Sequence, residues 1–457
     1  MSEVKKFSKV IRSPGFGLMT FSPCVSELIE TPEYQRLSSV RQLGPIYLIY
    51  PGGNHSRLLH SLEVSYVAEM IGRKLGLNEV EVLYLATAGL LHDLGHGPYS
   101  HSTEVLYNEI HNRDHMDYTC DLITGKMRFR ISKEEDEIVK AGQIPKILNR
   151  YKLDPHLVAS LIRREYDEKP YLQDLIFGPV DADQLAFLST DSRFLGLSYG
   201  TMNLDTIAEF FIIKKLSDAK EHLLIHEKAI PAIKDVIMSR LAMYNFYMTD
   251  TGLIVGNLLS QAARRAIKAG EMKNFEVFTD DEFRTHLLRS KDSFVREIGI
   301  RIKYRNLFKI AYSIPPIFSE KQKELLHFLN SKGDRDADPD LFAENERIIK
   351  VLSELGAKKL KEKILQTLPE DMDPDYVMVN LTTIRELNLT EPRLKEARKI
   401  KVFRTNGEVV SLAQLAPFFT LYVENENVIP ASLYVISHPD YRDQVRSAIK
   451  NLIKELL

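Results

Sequence analysis

Leu85-Ala86-Thr87-Ala88-Gly89-Leu90-Leu91-His92-Asp93-Leu94-Gly95-His96-Gly97-Pro98-Tyr99-Ser100-His101 decides the fold. An apolar helix runs into His92-Asp93 and stops at a glycine-rich corner, and His96 and His101 follow. Packing alone rarely ends an apolar helix in a cluster of titratable groups. The stretch reads as half of a metal site, and the rest of the chain as what completes and shields it.

Working upstream, Asn78 with Glu81 forms a capping-box pattern for a helix predicted over Glu79 to Asp93. Its Val82, Leu83, Leu85, Ala86, Ala88, Leu90 and Leu91 leave little polar face, so it is expected to be central and buried. Before it, Leu59, Leu62, Val67, Met70, Ile71 and Leu75 recur mostly at three- and four-residue steps. That spacing predicts an amphipathic helix over Ser56 to Leu75, with Gly76 as its C′ residue. His60 lies one turn into it. Alone, His60 reads as a core histidine; beside His92-Asp93 it reads as a ligand.

Seven of the 13 histidines, His55, His60, His92, His96, His101, His111 and His115, fall in one short region. Imidazole is the commonest metal ligand and moves protons near neutral pH. With a carboxylate it makes a mixed nitrogen and oxygen donor set that suits Mn, Fe or Zn and tolerates Mg or Co. Adjacent helical residues point about 100° apart, so His92 and Asp93 reach one ion only if it sits between helices. A further ligand must come from far along the chain.

The whole chain has 457 residues, a formal net charge of -2, 44% hydrophobic and 27% charged residues. These fit an ordinary globular protein of more than one domain. The charge argues against a general nucleic-acid coat but leaves room for a local basic pocket. With Cys24 and Cys120 alone there is no disulfide framework and no thiolate zinc site. The polar start, Met1 to Lys9, lacks a signal-peptide core, and no apolar run reaches the roughly 20 residues that span a bilayer. A cytoplasmic location, without membrane partners, is expected.

Further elements are predicted in order. Val10 to Gly17 is a short strand or turn. Helices are predicted over Cys24 to Glu30, Glu33 to Gln42 (Thr31 as N-cap), Pro155 to Tyr166, Val180 to Leu188, Ile230 to Phe246, Asp281 to Arg289 and Ser293 to Arg305. Ser331 to Asp340 is polar and rich in breakers, like a linker or a surface loop. Beyond it Tyr376 to Leu381, Ile400 to Phe403 and Leu433 to Ile436 look like strands, Thr405-Asn406-Gly407-Glu408 carries a hairpin signal, and Pro439 to Leu457 closes the chain as a helix. The expected fold is mainly α: a helical catalytic domain over 1–330, its core about 50–200, and a small α+β region over 331–457.

Arg57-Leu58-Leu59-His60-Ser61-Leu62-Glu63-Val64 and Gly89 to His101 together resemble the HD-domain phosphohydrolase superfamily, with its phosphodiesterase-like helical core. Within it the chain is most similar to the deoxynucleoside triphosphate triphosphohydrolases, including the sterile-alpha-motif and HD-domain enzyme and its bacterial relatives. Thr31-Pro32-Glu33-Tyr34-Gln35-Arg36-Leu37, Arg41-Gln42-Leu43-Gly44, Val180-Asp181-Ala182-Asp183 and Lys303 to Lys309 extend the likeness over most of the chain. It implies His60, His92, Asp93 and Asp183 as ligands of a divalent metal ion (Mn, Fe, Mg, Co or Zn). Without it Asp183 would read as a surface or helix-cap aspartate. His101 and Glu104 match a catalytic pair, and their i, i+3 spacing puts both on one helix face. His96 and His115 match histidines that contact phosphates. Arg57, which alone reads as a solvated helix residue, matches a phosphate-binding arginine, and Arg240 a second. Gln42 matches a residue on sugar or base, and Asp191 one near the sugar 3′ hydroxyl. The implied reaction is hydrolysis at the α-phosphorus of a dNTP, giving a deoxynucleoside and triphosphate, in a homo-oligomer (dimer or tetramer) that can take a nucleotide effector.

The chain also departs from that pattern. Phe187 stands where the family carries a tyrosine near the sugar, and Gln184 and Thr190 replace basic residues. After Tyr244, where the family often shows a Tyr-x-His-Lys element, the chain reads Tyr247-Met248-Thr249-Asp250 with no His-Lys, and the Asp-Pro-x-His-Gly start is reduced to Ser13-Pro14-Gly15-Phe16-Gly17. Arg305 and Lys309 match effector residues or form a solvated face. Metal chemistry is thus kept while substrate recognition is altered. Two alternatives stay open: an HD phosphohydrolase acting on another nucleotide or nucleic-acid phosphate ester, and a non-catalytic nucleotide-binding regulator. Against the regulator stand His101 and Glu104, since neither is needed to hold a metal.

Overall fold

A computed structural model describes residues 9–129, 131–198, 200, 202–247, 249–317, 339–382, 400–415 and 431–457. The chain divides into two compact units, Met1–Gly299 with Ile400–Val410, and Ile300–Lys399 with Ser411–Leu457. The 330/331 boundary and the linker-like stretch up to Asp338 lie outside the described residues.

The first unit is built on two helices, Arg57–Lys74 and Glu79–Leu91. Ser56 caps the first through Leu59 N, and Asn78 caps the second through Val80 N and Glu81 N. Such a cap is worth about 1 kcal/mol. Gly76 follows the first helix in the left-handed region at φ 69°. The two helices approach closely at Gly89, where a Cβ would stand 3.2 Å from the backbone of Val64 and Ser65. Ser65 Oγ donates to Ala86 O at 2.7 Å in the same contact. That small-residue contact sets the separation at which His60 and His92 face one another.

Helix Ala182–Phe194 packs on the Arg57–Lys74 helix. Asp181 caps it, accepting from Gln184 N at 2.7 Å. The N-terminal hairpin pairs Lys9–Ser13 with Gly17–Phe21. A second hairpin pairs Phe211–Lys215 with Glu221–His226, and Lys401–Phe403 adds to it in parallel, Ile225 opposite Val402. Arg404 N donates to Glu408 O across the expected turn at Asn406-Gly407.

The second unit holds a three-stranded antiparallel sheet in the order Lys309–Ile317, Ala431–Ser437, Val377–Thr382. Helices Pro339–Leu355, Ala357–Leu365 and Arg442–Leu456 contribute to its core, where Ile314, Leu352, Leu360, Val435 and Ile449 are buried. Among the described residues no helix is long and apolar enough to cross a membrane.

Several predicted elements change. The Arg57–Lys74 helix is not amphipathic: Ser61, Glu63 and Ser65 are as buried as Leu62 and Val67, because it is wrapped by other elements. The Glu33 to Gln42 helix is only Pro32–Gln35, followed by a 3-10 turn over Arg36–Ser39. There the Arg36 guanidinium donates to three carbonyls, Leu94 O and His96 O at 2.7 Å each and Phe278 O at 3.2 Å. The Pro155 helix stops at Arg163, where Arg164 turns left-handed, and the Val180 to Leu188 helix runs from Ala182 to Phe194. Cys24 and Cys120 are free and buried, which pushes their thiols up to about 12 and about 11.

Candidate metal centre

His60, His92 and Asp93 present ligand atoms within 4.8 Å of one another, all buried. His60 Nε2 lies 3.1 Å from Asp183 Oδ1 and 3.6 Å from Asp93 Oδ2, and His92 Nε2 lies 3.2 Å from Asp93 Oδ1. Asp183 is thus brought to the cluster from the Ala182–Phe194 helix. His92 Nδ1 lies 2.8 Å from Gly89 O, so that nitrogen carries the proton and Nε2 keeps its lone pair. Among the described residues, buried His92 Nε2 has no hydrogen-bond partner despite the carboxylate beside it. A buried lone pair facing two carboxylates fits a divalent cation, and the two-nitrogen, two-oxygen donor set fits a borderline first-row ion.

The electrostatics agree. Burial pushes the Asp93 carboxyl up, but Arg57, then His92 and His60, outweigh it and hold the carboxyl well below its usual range. Burial also lowers the His92 imidazole, which favours the neutral form a metal needs. Arg57 is not a solvated residue: it is buried, its Nη1 donating to Asp93 Oδ2 and its Nε to Ser100 Oγ at 2.7 Å.

Beside this cluster stands a second one, His96, His101 and His115. His96 Nε2 lies 3.4 Å from Asp93 Oδ1, and its ring stacks on His115 with centroids 3.9 Å apart. Burial, then Arg57 and His115, lower the His96 imidazole well below its ordinary value. Glu104 joins the other two: Oε2 lies 2.7 Å from His101 Nδ1, and Oε1 bonds His115 Nδ1. The His101 side chain is 67% exposed, so a ligand can reach it.

The corner between the clusters carries two consecutive left-handed residues, Tyr99 at φ 57° and Ser100 at φ 54°. Such backbone persists only where its surroundings over-determine it. Asp280 does so, accepting from Tyr99 N at 2.7 Å and from Arg41 N and Nη1. Ser100 Oγ donates to Arg41 O at 2.6 Å. The sequence carried no signal for Asp280, a helix-start aspartate nearly two hundred positions away.

The residues expected on the sugar side have partners of their own. Asp191 Oδ1 lies 2.8 Å from His55 Nε2, and Tyr247 Oη donates to Asp191 Oδ2 at 2.6 Å. Phe187 meets Tyr247 edge-on at 6.4 Å. Gln42 N donates to His55 O at 3.0 Å, next to the isolated bridge between Arg41 and Ser56. Arg240 Nη1 lies 3.4 Å from Gln184 Oε1. Gln184 and Thr190 are both turned inward, Gln184 to Gly178 O and Asp181, Thr190 to Glu63 Oε2 at 2.6 Å. Ser13 also bonds Glu63, and a Cβ on Gly15 would stand 2.7 Å from Thr190 Oγ1, so the reduced N-terminal motif packs against the core. Arg305 and Lys309 are exposed. His55 and Tyr247 are functional candidates to which the sequence assigned no role: His55 was marked only by its place in the histidine-rich region, and Tyr247 only as the tyrosine standing where the family shows Tyr-x-His-Lys.

Residues 57–170 match the HD domain family, and residues 210–326 match the HD associated region. The chain carries the HD domain of the HD-domain phosphohydrolase superfamily, followed by the HD associated region. An uncharacterised protein of Methanocaldococcus jannaschii is 28% identical over 402 residues, 83% of this chain and 78% of that protein. An uncharacterised Bacillus subtilis protein is 34% identical over 224 residues, 48% of this chain and 46% of its own length. The deoxynucleoside triphosphate triphosphohydrolase of Homo sapiens is 26% identical over 360 residues, 67% of this chain and 55% of the human protein. The HD domain therefore begins at Arg57 and contains both histidine clusters, while Asp183 lies outside the matched residues.

Proposed function

We propose that this chain is a metal-dependent dNTP triphosphohydrolase that releases deoxynucleoside and inorganic triphosphate. The observation that carries the reading is the His101–Glu104 pair beside the buried His60, His92, Asp93 and Asp183 cluster. A structural metal site has no use for an exposed histidine held by a carboxylate.

His60, His92, Asp93 and Asp183 would hold the ion. When bound it would supply Lewis-acid activation of water and offset phosphate charge. Glu104 accepts from His101 Nδ1, which orients the ring and favours its imidazolium form, whose Nε2–H is the proton passed to the departing sugar oxygen. Glu104 stays ionised for this: burial opposes it, but hydrogen bonds from His101 and His115 hold its carboxyl well below the ordinary range. His96, His115, Arg57 and Arg240 are assigned to the phosphates, where donors aimed at developing charge contribute most. Gln42, Phe187 and Asp191 are assigned to the sugar side. A homo-oligomer belongs to the same proposal. An activating nucleotide is less supported, because Ser13 and Gly15 are taken up against Glu63 and Thr190.

A second reading, hydrolysis of another nucleotide phosphate ester, draws on Gln184 and Thr190, whose neutral side chains bond inward. One assay separates the two. Purified protein is incubated with each dNTP, rNTP and dNMP plus Mg, Mn or Co, and the products are identified. Triphosphate from dNTPs supports the first reading, phosphate from monophosphates the second, and no turnover with tight nucleotide binding contradicts both.

A further inference from the structure

Helices Arg57–Lys74 and Ala182–Phe194 meet at two polar contacts. One is His60 Nε2 with Asp183 Oδ1 at 3.1 Å, and the other is Thr190 Oγ1, which donates to Glu63 Oε2 at 2.6 Å. Glu63 follows His60 by three residues and Thr190 follows Asp183 by seven, so each pair shares one helix face. Two contacts between the same helices, about one turn apart on one and about two on the other, fix separation and crossing together.

Glu63 is 0% exposed, Thr190 1% and Ser13 2%. The other carboxylate oxygen, Oε1, accepts from Ser13 Oγ. Ser13 Oγ in turn accepts from Gly15 N at 2.9 Å and Phe16 N at 3.2 Å, so its lone pairs are taken and its one proton goes to Glu63. Ser13 thereby holds the turn between the two N-terminal strands. That turn lies on both helices: Phe16 meets Tyr66 edge-on at 6.2 Å, and Arg193 Nη1 donates to Pro14 O at 2.7 Å. A side chain at Gly15 would not fit, since a Cβ would stand 2.7 Å from Thr190 Oγ1 and 3.0 Å from Glu63 Oε1. One carboxylate thus gathers three segments of chain.

A buried carboxyl is costly. Burial pushes that of Glu63 above its ordinary range, and the hydroxyls of Ser13 and Thr190 oppose this only in part. An apolar side chain of the same length would fill the place without that cost. Apolar packing has no direction, whereas two hydrogen bonds to a carboxylate do. What they hold is the spacing of His60 and Asp183.

We propose that Glu63 is a positioning residue for the metal centre, locking the two helices through Ser13 and Thr190 at the separation at which His60 and Asp183 share one ion. The assignment rests on the ligand set of the proposed function and not on its substrate. In this role Glu63 need not touch the ion; it acts through His60 and Asp183.

Metal binding to the full-length chain tests this without turnover. Chelator-stripped protein is titrated calorimetrically with Mn, and its Tm is recorded without metal. Glu63→Met, which fills the space without either hydrogen bond, is expected to bind Mn about 10–100-fold more weakly, the range for groups that orient metal ligands. Glu63→Gln, able to accept from Ser13 and donate to Thr190 Oγ1, is expected to stay within about 2-fold of wild type. Thr190→Val is expected to weaken binding about 10-fold and Thr190→Ser to restore it, which reads the same lock should Glu63→Met fail to fold. Variants that lower the metal-free Tm yet keep wild-type Mn affinity would make the network purely structural and overturn the inference. So would Glu63→Gln as weak as Glu63→Met, since Glu63 would then act by its charge. A wild type that binds no Mn overturns the ligand set itself, and the inference with it.

Discussion

Arg57 Nη1 donates to Asp93 Oδ2 inside the protein, so the first residue of one helix neutralises the residue just beyond the end of the next. The pair joins the two helices where the ligands meet. Removing one partner leaves a buried charge uncompensated, which costs about 3–5 kcal/mol. Arg57→Ala is expected to lower Tm markedly, and Arg57→Lys to lower it less. Calorimetric unfolding of both variants checks this; an Arg57→Ala protein with wild-type Tm contradicts the pairing.

Ligand and proton donor separate by metal content. Asp93→Ala is expected to lose both metal and activity. His101→Ala is expected to keep its metal and lose about 10²–10⁴-fold in turnover, the range for general acid catalysis. Elemental analysis alongside kinetics reads both, and a fully active His101→Ala removes the general-acid role.

Glu104 gives a pH signature. Its folded-state carboxyl is depressed, so it contributes stability above the unfolded value of about 4.3 that is lost as pH falls toward the folded value. The Tm difference between wild type and Glu104→Gln is therefore expected to be largest near neutral pH and to shrink on acidification. Thermal melts at pH 7 and pH 3 check the sign. A gap that widens in acid would show that Glu104 is not held ionised by His101 and His115.

Arg36 holds the corner after the Glu79–Leu91 helix through Leu94 O, His96 O and Phe278 O. A charge-assisted hydrogen bond is worth about 1.5–3 kcal/mol, so Arg36→Ala is expected to lower stability by several kcal/mol. Denaturant titration measures it. Activity should fall further than Tm alone explains, because His96 rides on that corner. Equal loss of both would make Arg36 purely structural.

Much of this site was legible in the sequence because it is local. His60, His92 and Asp93 sit on two helices joined by a short loop, and helical spacing and caps place them. Asp183 came from the family likeness, since nothing around it marks a ligand, and the His60–Asp183 proximity exists only in three dimensions. His55, Tyr247 and Asp280 were missed for the same reason: each acts through a partner far along the chain. The Phe211–Lys215 and Glu221–His226 hairpin escaped because its charged, exposed ends read as a surface stretch. The Arg57–Lys74 helix misled in the other direction: a three- and four-residue apolar rhythm gave one buried face, whereas neighbours cover its polar positions as well.

The central claim is hydrolysis at the α-phosphorus with the sugar oxygen leaving. It is tested most directly by turning over a dNTP in ¹⁸O-labelled water with the Mn-loaded protein and locating the label. The account predicts one ¹⁸O in the triphosphate released and none in the deoxynucleoside. Label in inorganic orthophosphate, in a nucleoside monophosphate or in the deoxynucleoside would contradict it.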